Sequence, residues 1–177
     1  MNADILDDNA AEVQVGVNIQ VPRSVEVVQD IEFGTLLVDS AKMESMEYVV
    51  LDIDDISDTS DAPNVEARGG SHAGKVCTSI TATEYASELA LPYSFEIAEI
   101  SVTLTSDETD EGPIFYPANV PVEKMELGEG YGYCGSMVGA IGIPAGIAAG
   151  RYEGAIHVSV IYGDSSATSE IHDTDMM

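Results

Sequence analysis

Residues 13–21, VQVGVNIQV, alternate strictly: Val13, Val15, Val17, Ile19 and Val21 are separated by Gln14, Gly16, Asn18 and Gln20. A period of two puts one set of side chains on each face of an extended chain, so this segment reads as a half-buried strand. Pro22 ends it. Apolar residues return in VEVVQDIEFG, residues 25–34, and in MEYVVLDI, residues 46–53. Residues 54–74 cluster Asp, Ser, Pro and Gly with little apolar content, which predicts a long surface loop. Strand-like segments then recur at short spacing: KVCTSIT (75–81), LALPYSFEI (89–97) and EISVTLTS (99–106). An acidic turn, DETDEGP at 107–113, separates them from PVEKMEL (121–127), CGSMVGAIGIP (134–144) and RYEGAIHVSVIYG (151–163).

The one helical candidate, ATEYASELA at 82–90, is short and lies close to Pro92. Short strands punctuated by turn residues, without long amphipathic helices between them, predict an all-β antiparallel β-sandwich and exclude a parallel α/β sheet. A chain of 177 residues fits one domain. That domain is expected to span residues 13–164, between a flexible acidic leader at 1–12 and a polar tail at 165–177.

Composition supports the class. Hydrophobic residues make up 45% of the chain but aromatic ones only 6%, and Val, Ile and Ala dominate, which favours strands. Charge is the larger departure from the ordinary, with 32 Asp and Glu against 6 Lys and Arg and a formal net charge of -26. Nucleic acid and anionic lipid are thereby excluded as expected partners. Copies of such a surface repel one another unless cations screen them; the screening length falls from about 10 Å at 0.1 M salt to about 3 Å at 1 M. The acidity fits a saline or cation-rich exterior, or serves only to keep the protein in solution.

No stretch resembles a membrane-spanning helix, and membrane insertion is not expected. Residues 1–12, MNADILDDNAAE, lack the basic start and apolar core of a signal peptide, so the expectation is a mature form after export. Cys77 and Cys134 lie in two predicted strands; they form one disulfide in an oxidising compartment, or remain two reduced core thiols in the cytosol.

Candidate chemistry is sparse. His72, His157 and His172 fall in a loop, a strand and the tail, and no nucleophile, base and orienting group share a recognisable spacing, so no catalytic residue is nominated. GYGYCGSMVGAIG at 130–142 precedes no helix and is not a nucleotide fingerprint. No cofactor is expected apart from calcium. Asp55, Ser57, Thr59, Asp61 and Glu66 have the alternating oxygen spacing of a hand-shaped calcium loop, although Ser60 stands where Gly is expected and flanking helices are missing. A merely solvated acidic loop explains the same residues.

The two ends of the chain carry a family resemblance. VNIQVPRSVEVVQDIEFGTLLVD, with Phe33 and Gly34 closing its Ile31–Gly34 element, and VGAIGIPAGIAAGRYEGAIHVSVIYG resemble a family of secreted bacterial β-sandwich domains related to the Mat or common-pilus fimbrillins. Val138, Gly139, Ile141, Ile143, Gly150, Tyr152, Gly154, Val158, Val160 and Tyr162 follow the family's closing motif in order, with Ala140 where a second Gly is usual. The middle of the chain diverges. The resemblance implies an immunoglobulin-like or pilin-like sandwich and, by analogy, an extracellular cell-surface role.

On that basis the expected function is structural and not enzymatic. The chain would be the subunit of a fimbria- or pilus-like filament whose partners are identical subunits, with Val13, Val15, Val17, Ile19 and Val21 forming a donor strand added to the sheet of the next copy. Two alternatives stay open. Residues 13–21 are the first strand of a self-contained domain, or the protein is a monomeric adhesin or a cation- or glycan-binding module.

Overall fold

The structure is a computed structural model that describes residues 9–19, 22–118 and 122–162. The fold is all-β, mostly antiparallel strand with almost no helix, in a sandwich-like arrangement. Its strands are β1 (Pro22–Arg23), β2 (Glu26–Gln29), β3 (Leu36–Val38), β4 (Glu47–Leu51), β5 (Ser57–Asp58), β6 (Val65–Ala67) and β7 (Gly74–Ile80). After one helical turn, α1 (Ala82–Ala86), come β8 (Tyr93–Ile97), β9 (Val102–Thr103), β10 (Ile114–Ala118), β11 (Val122–Glu126), β12 (Tyr131–Ile143) and β13 (Val158–Tyr162).

The spine of the molecule is β12, thirteen residues long. Its first half pairs with β7 on one edge and β11 on the other; its second half pairs with β4 and β10. Buried positions are nearly continuous along it, since both halves are covered by other elements. Glycine is what lets the neighbours close in. A Cβ on Gly139 would lie 2.2 Å from the carbonyl oxygen of Tyr116 in β10, so only glycine permits this approach.

Each half of the spine carries its own core. Around the first half, Ile80, Tyr93 and Val160 pack with Tyr85, Phe95, Tyr131 and Tyr133, beneath the small sheet β1-β13-β8. Cys77 and Cys134 are directly opposite in the β7–β12 register and form a disulfide, buried in this half. Around the second half, Phe33, Val49, Leu51, Phe115, Ile141 and Ile143 are buried under the β3-β6 pair. Seven further apolar residues there, among them Leu36, Val38, Ile147 and Ile156, are only half-buried. That second core is open on one side.

Several expectations change in detail. The 54–74 region is not a solvated loop: it contains β5 and β6, and Ser57, Ala62 and Val65 are buried, with the Ser57 hydroxyl donating to the Phe33 carbonyl at 2.8 Å. Apolar residues in it are few but well placed, which a count of composition misses. The helical candidate shrinks to Ala82–Ala86, started by a capping box in which the Thr81 hydroxyl accepts from Glu84 N–H and the Glu84 carboxylate accepts from Thr81 N–H. The 99–106 strand reduces to Val102–Thr103 plus a bridge from Thr105 to Glu153.

Candidate functional site

The expected strand at 13–21 is absent from the sheets over its described part. Residues 10–19 belong to no strand, and Val13, Val15, Val17 and Ile19 are between 79% and 93% exposed. Val21 lies outside the described residues. The local signal for a strand is intact, because a period-two apolar face is still present, but among the described residues no sheet edge receives it. Gln14 makes only a local bond, its amide donating to the Glu12 carboxylate at 2.7 Å, and nothing lies within 4 Å of where a Gly16 Cβ would be. Soluble monomers rarely leave such an ordered apolar face in water.

A cleft of about 920 Å³ opens beside the second core. One wall is the chain from Phe33 to Val38, the other the chain from Ile147 to Ile156, and Phe115, Ile141 and Ile143 form the floor. In the first wall Leu36 and Val38 are half-buried and Leu37 between them is exposed, the alternation of a strand. β3 pairs with β6 on one edge. In the second wall, Glu153 bridges Thr105, and the His157 carbonyl accepts from Ala98 N–H on the side of β8.

The walls are tied together across the mouth. Arg151 donates from Nη1 to Glu32 Oε1 at 3.0 Å and from Nη2 to Oε2 at 2.8 Å, a bidentate pair between positions far apart in sequence. The guanidinium holds the Glu32 carboxyl below the ordinary glutamate range, against the opposing effect of partial burial. Gly34, Gly150, Tyr152 and Gly154 of the motif line the cleft. Gly34 sits at φ +79°, where a Cβ would lie 2.3 Å from the Gly69 carbonyl oxygen. The Tyr152 hydroxyl donates to the Ala148 carbonyl at 2.7 Å, closing the turn that contains Gly150, and Gly154 leaves room for Leu104.

No family model, curated protein or solved structure matches the chain.

The calcium spacing is not assembled into a site. The Asp55 carboxylate accepts from Ala73 N–H, Ser57 is committed to Phe33, and Glu66 lies in β6 with its carboxylate 2.6 Å from Arg68 Nε. Thr59 and Asp61 lie in the turn between β5 and β6, where the Thr59 carbonyl accepts from Ala62 N–H. Among the described residues no group of three or more His, Cys, Asp or Glu is placed to hold a metal ion. A linear ligand spacing predicts a metal loop only when the backbone wraps around a centre, and here the backbone runs through two strands.

The histidines remain apart. His72 lines the cleft, its backbone bridged to Glu32 and its Nδ1 buried without a hydrogen-bond partner among the described residues. His157 pairs with Glu99 at 2.5 Å on the surface, which lowers the Glu99 pKa. His172 lies outside the described residues. The Glu32–Arg151 tie had no warning in the sequence beyond Arg151 being one of just 6 basic residues in an acidic chain, whereas Gly150, Tyr152 and Gly154 of the second wall stood in the closing motif.

Proposed function

We propose that this protein is the structural subunit of an extracellular fimbria- or pilus-like filament, assembled head to tail by adding the N-terminal strand, residues 13–21, to the sheet of a neighbouring copy. The observation that carries this reading is the apolar face Val13, Val15, Val17 and Ile19, ordered with period two yet exposed to water. Burying the four side chains in another copy is worth about 1.5 to 3 kcal/mol each. That is comparable with the rotational and translational cost of association, and main-chain hydrogen bonds to a sheet edge add to it. The buried disulfide supports an oxidising exterior. A cell-surface location belongs to the same proposal, as does the pilin-like kinship implied by the ends of the chain.

A deletion tests it. The full chain is sized by sedimentation velocity and imaged by negative stain in high salt, where the net charge of -26 is screened, beside a variant lacking residues 1–21. Filaments or long ladders are expected from the full chain and not from the deletion. Undiminished polymers in the deletion overturn the donor strand, and a clean monomer of the full chain favours the monomeric surface adhesin or binding module.

A further inference from the structure

With no tryptophan, and with both cysteines joined in a disulfide, the side chain that most readily loses a single electron here is tyrosine, of which there are 8. Methionine is oxidised differently, by transfer of an oxygen atom to sulfur. Tyr85, Tyr93, Tyr131, Tyr133 and Tyr162 gather at the first core. Among the described residues one tyrosine pair is stacked: Tyr85 of α1 lies on Tyr131 of β12, ring centroids 4.3 Å apart and planes 25° from parallel. Tyr93 with Tyr162, Tyr48 with Tyr116 and Tyr93 with Tyr133 stand 5.8 to 6.3 Å apart and are tilted or edge-on.

The elements around Tyr85 hold the stack in place. Tyr131 stands opposite Ile80 in the β7–β12 register, and α1 begins at Ala82, just beyond the end of β7. Tyr85 N–H donates to the Thr81 carbonyl at 2.9 Å. The Glu84 carboxylate accepts from Thr81 N–H and from the Tyr93 hydroxyl, which ties α1 to β8. Lys124 of β11 donates to the carbonyls of Ser87 and Leu89, so the chain leaving α1 is held as well. Both stacked tyrosines are half-buried, open enough to lose an electron to an oxidant in solution and a proton to water. Tyr93 is a poorer site: it is buried, and the Arg23 guanidinium lies 4.1 Å from the centre of its ring, where a positive charge opposes removal of an electron.

We propose that Tyr85 and Tyr131 are a modification site, at which one-electron oxidation by a peroxide-driven haem peroxidase joins them as a dityrosine within one chain. Each ring loses one electron and its hydroxyl proton. The two phenoxyl radicals form one carbon–carbon bond between ring positions ortho to the oxygens, and the hydrogen on each of those carbons moves to its oxygen to restore the phenol. One hydrogen peroxide, its O–O bond broken, takes up the two electrons and two protons and leaves as two waters. The stack supplies the reacting rings already in contact, so coupling needs no encounter. A tyrosine of a second copy must instead approach against a net charge of -26. The new bond fastens α1 to β12 beside the Cys77–Cys134 disulfide, which already joins β7 to β12. It closes the turn that leads out of β7.

The full chain is treated with a haem peroxidase and an equimolar amount of hydrogen peroxide at low salt, where copies repel one another. Dityrosine fluorescence is expected in a product that still runs as a monomer on a denaturing gel. After reduction and digestion at acidic residues, mass spectrometry should find the peptides carrying Tyr85 and Tyr131 joined, lighter by two hydrogens than the separate pair. Tyr85→Phe and Tyr131→Phe keep the ring but cannot form the phenoxyl radical, and each should lose this product entirely. Where a phenylalanine variant does not fold, the identity of the joined peptides in the unsubstituted chain decides alone. Intramolecular dityrosine that survives in either folded variant overturns the site. Coupling found only between chains overturns it too, as does methionine sulfoxide accumulating while Tyr85 and Tyr131 stay unmodified.

Discussion

Replacing Val15 and Val17 together by alanine separates a donor strand from an ordinary first strand, because the two readings bury these side chains in different places. In the isolated subunit Val15 is 93% and Val17 79% exposed, so each truncation removes two carbons that the folded chain leaves in water. Such surface changes stay within about 0.5 kcal/mol, and the melting temperature of the dispersed subunit should move by no more than about 2 °C. In the proposed filament the same carbons are buried in a neighbour. At about 0.8 kcal/mol per buried carbon the pair loses roughly 3 kcal/mol per contact, and at 1.4 kcal/mol per factor of ten the contact weakens by on the order of 100-fold. Sedimentation velocity across a concentration series measures the threshold for polymer formation, which should rise by that factor. A fall of about 6 °C or more in melting temperature, with unchanged assembly, would refute the reasoning and return residues 13–21 to the chain's own core.

Gly34→Ala adds a Cβ at φ +79° and 2.3 Å from a backbone oxygen, so urea denaturation should show a loss of about 3 kcal/mol from the left-handed backbone and overpacking together. Gly16→Ala, with nothing within 4 Å, should change nothing. The disulfide closes a separation of 57 residues, and the double variant C77A/C134A should lose about 4 kcal/mol in the same assay, with an unshifted denaturation midpoint sinking the estimate. For the cleft mouth, the Glu32 carboxyl has a folded pKa depressed by Arg151, so its contribution is present above the unfolded value and fades as pH falls from about 4.3 through the lower folded value. Arg151→Ala should therefore flatten the acid limb of the stability profile, and should cost under about 1 kcal/mol at pH 7 because the arginine is largely in solvent.

The all-β class was legible because strand patterning is local. MEYVVLDI, KVCTSIT and the YSFEI part of 89–97 each announce a strand through apolar alternation and β-branched residues, and each is one. The motif glycines at both ends were legible as scaffold positions for the same reason, since Gly139 and Gly34 meet backbone that no other residue allows. The buried part of 54–74 was not legible: Ser57, Ala62 and Val65 are buried by contacts with distant strands, and neither their spacing nor their polarity records that. The cysteine pairing depended on register. Two cysteines in two strands bond only if those strands are neighbours and in step, as β7 and β12 are.

The site divides along the same line. Alternation in VQVGVNIQV determined by itself that residues 13–21 have one apolar face with the period of a strand, because that property belongs to consecutive residues. Where that face ends up depends on the whole fold: its described part joins no sheet, Arg151 reaches Glu32, and a core is left open between two walls. Those are properties of the folded chain. Only the tertiary structure left residues 10–19 outside the sheets and a cleft open beside the second core.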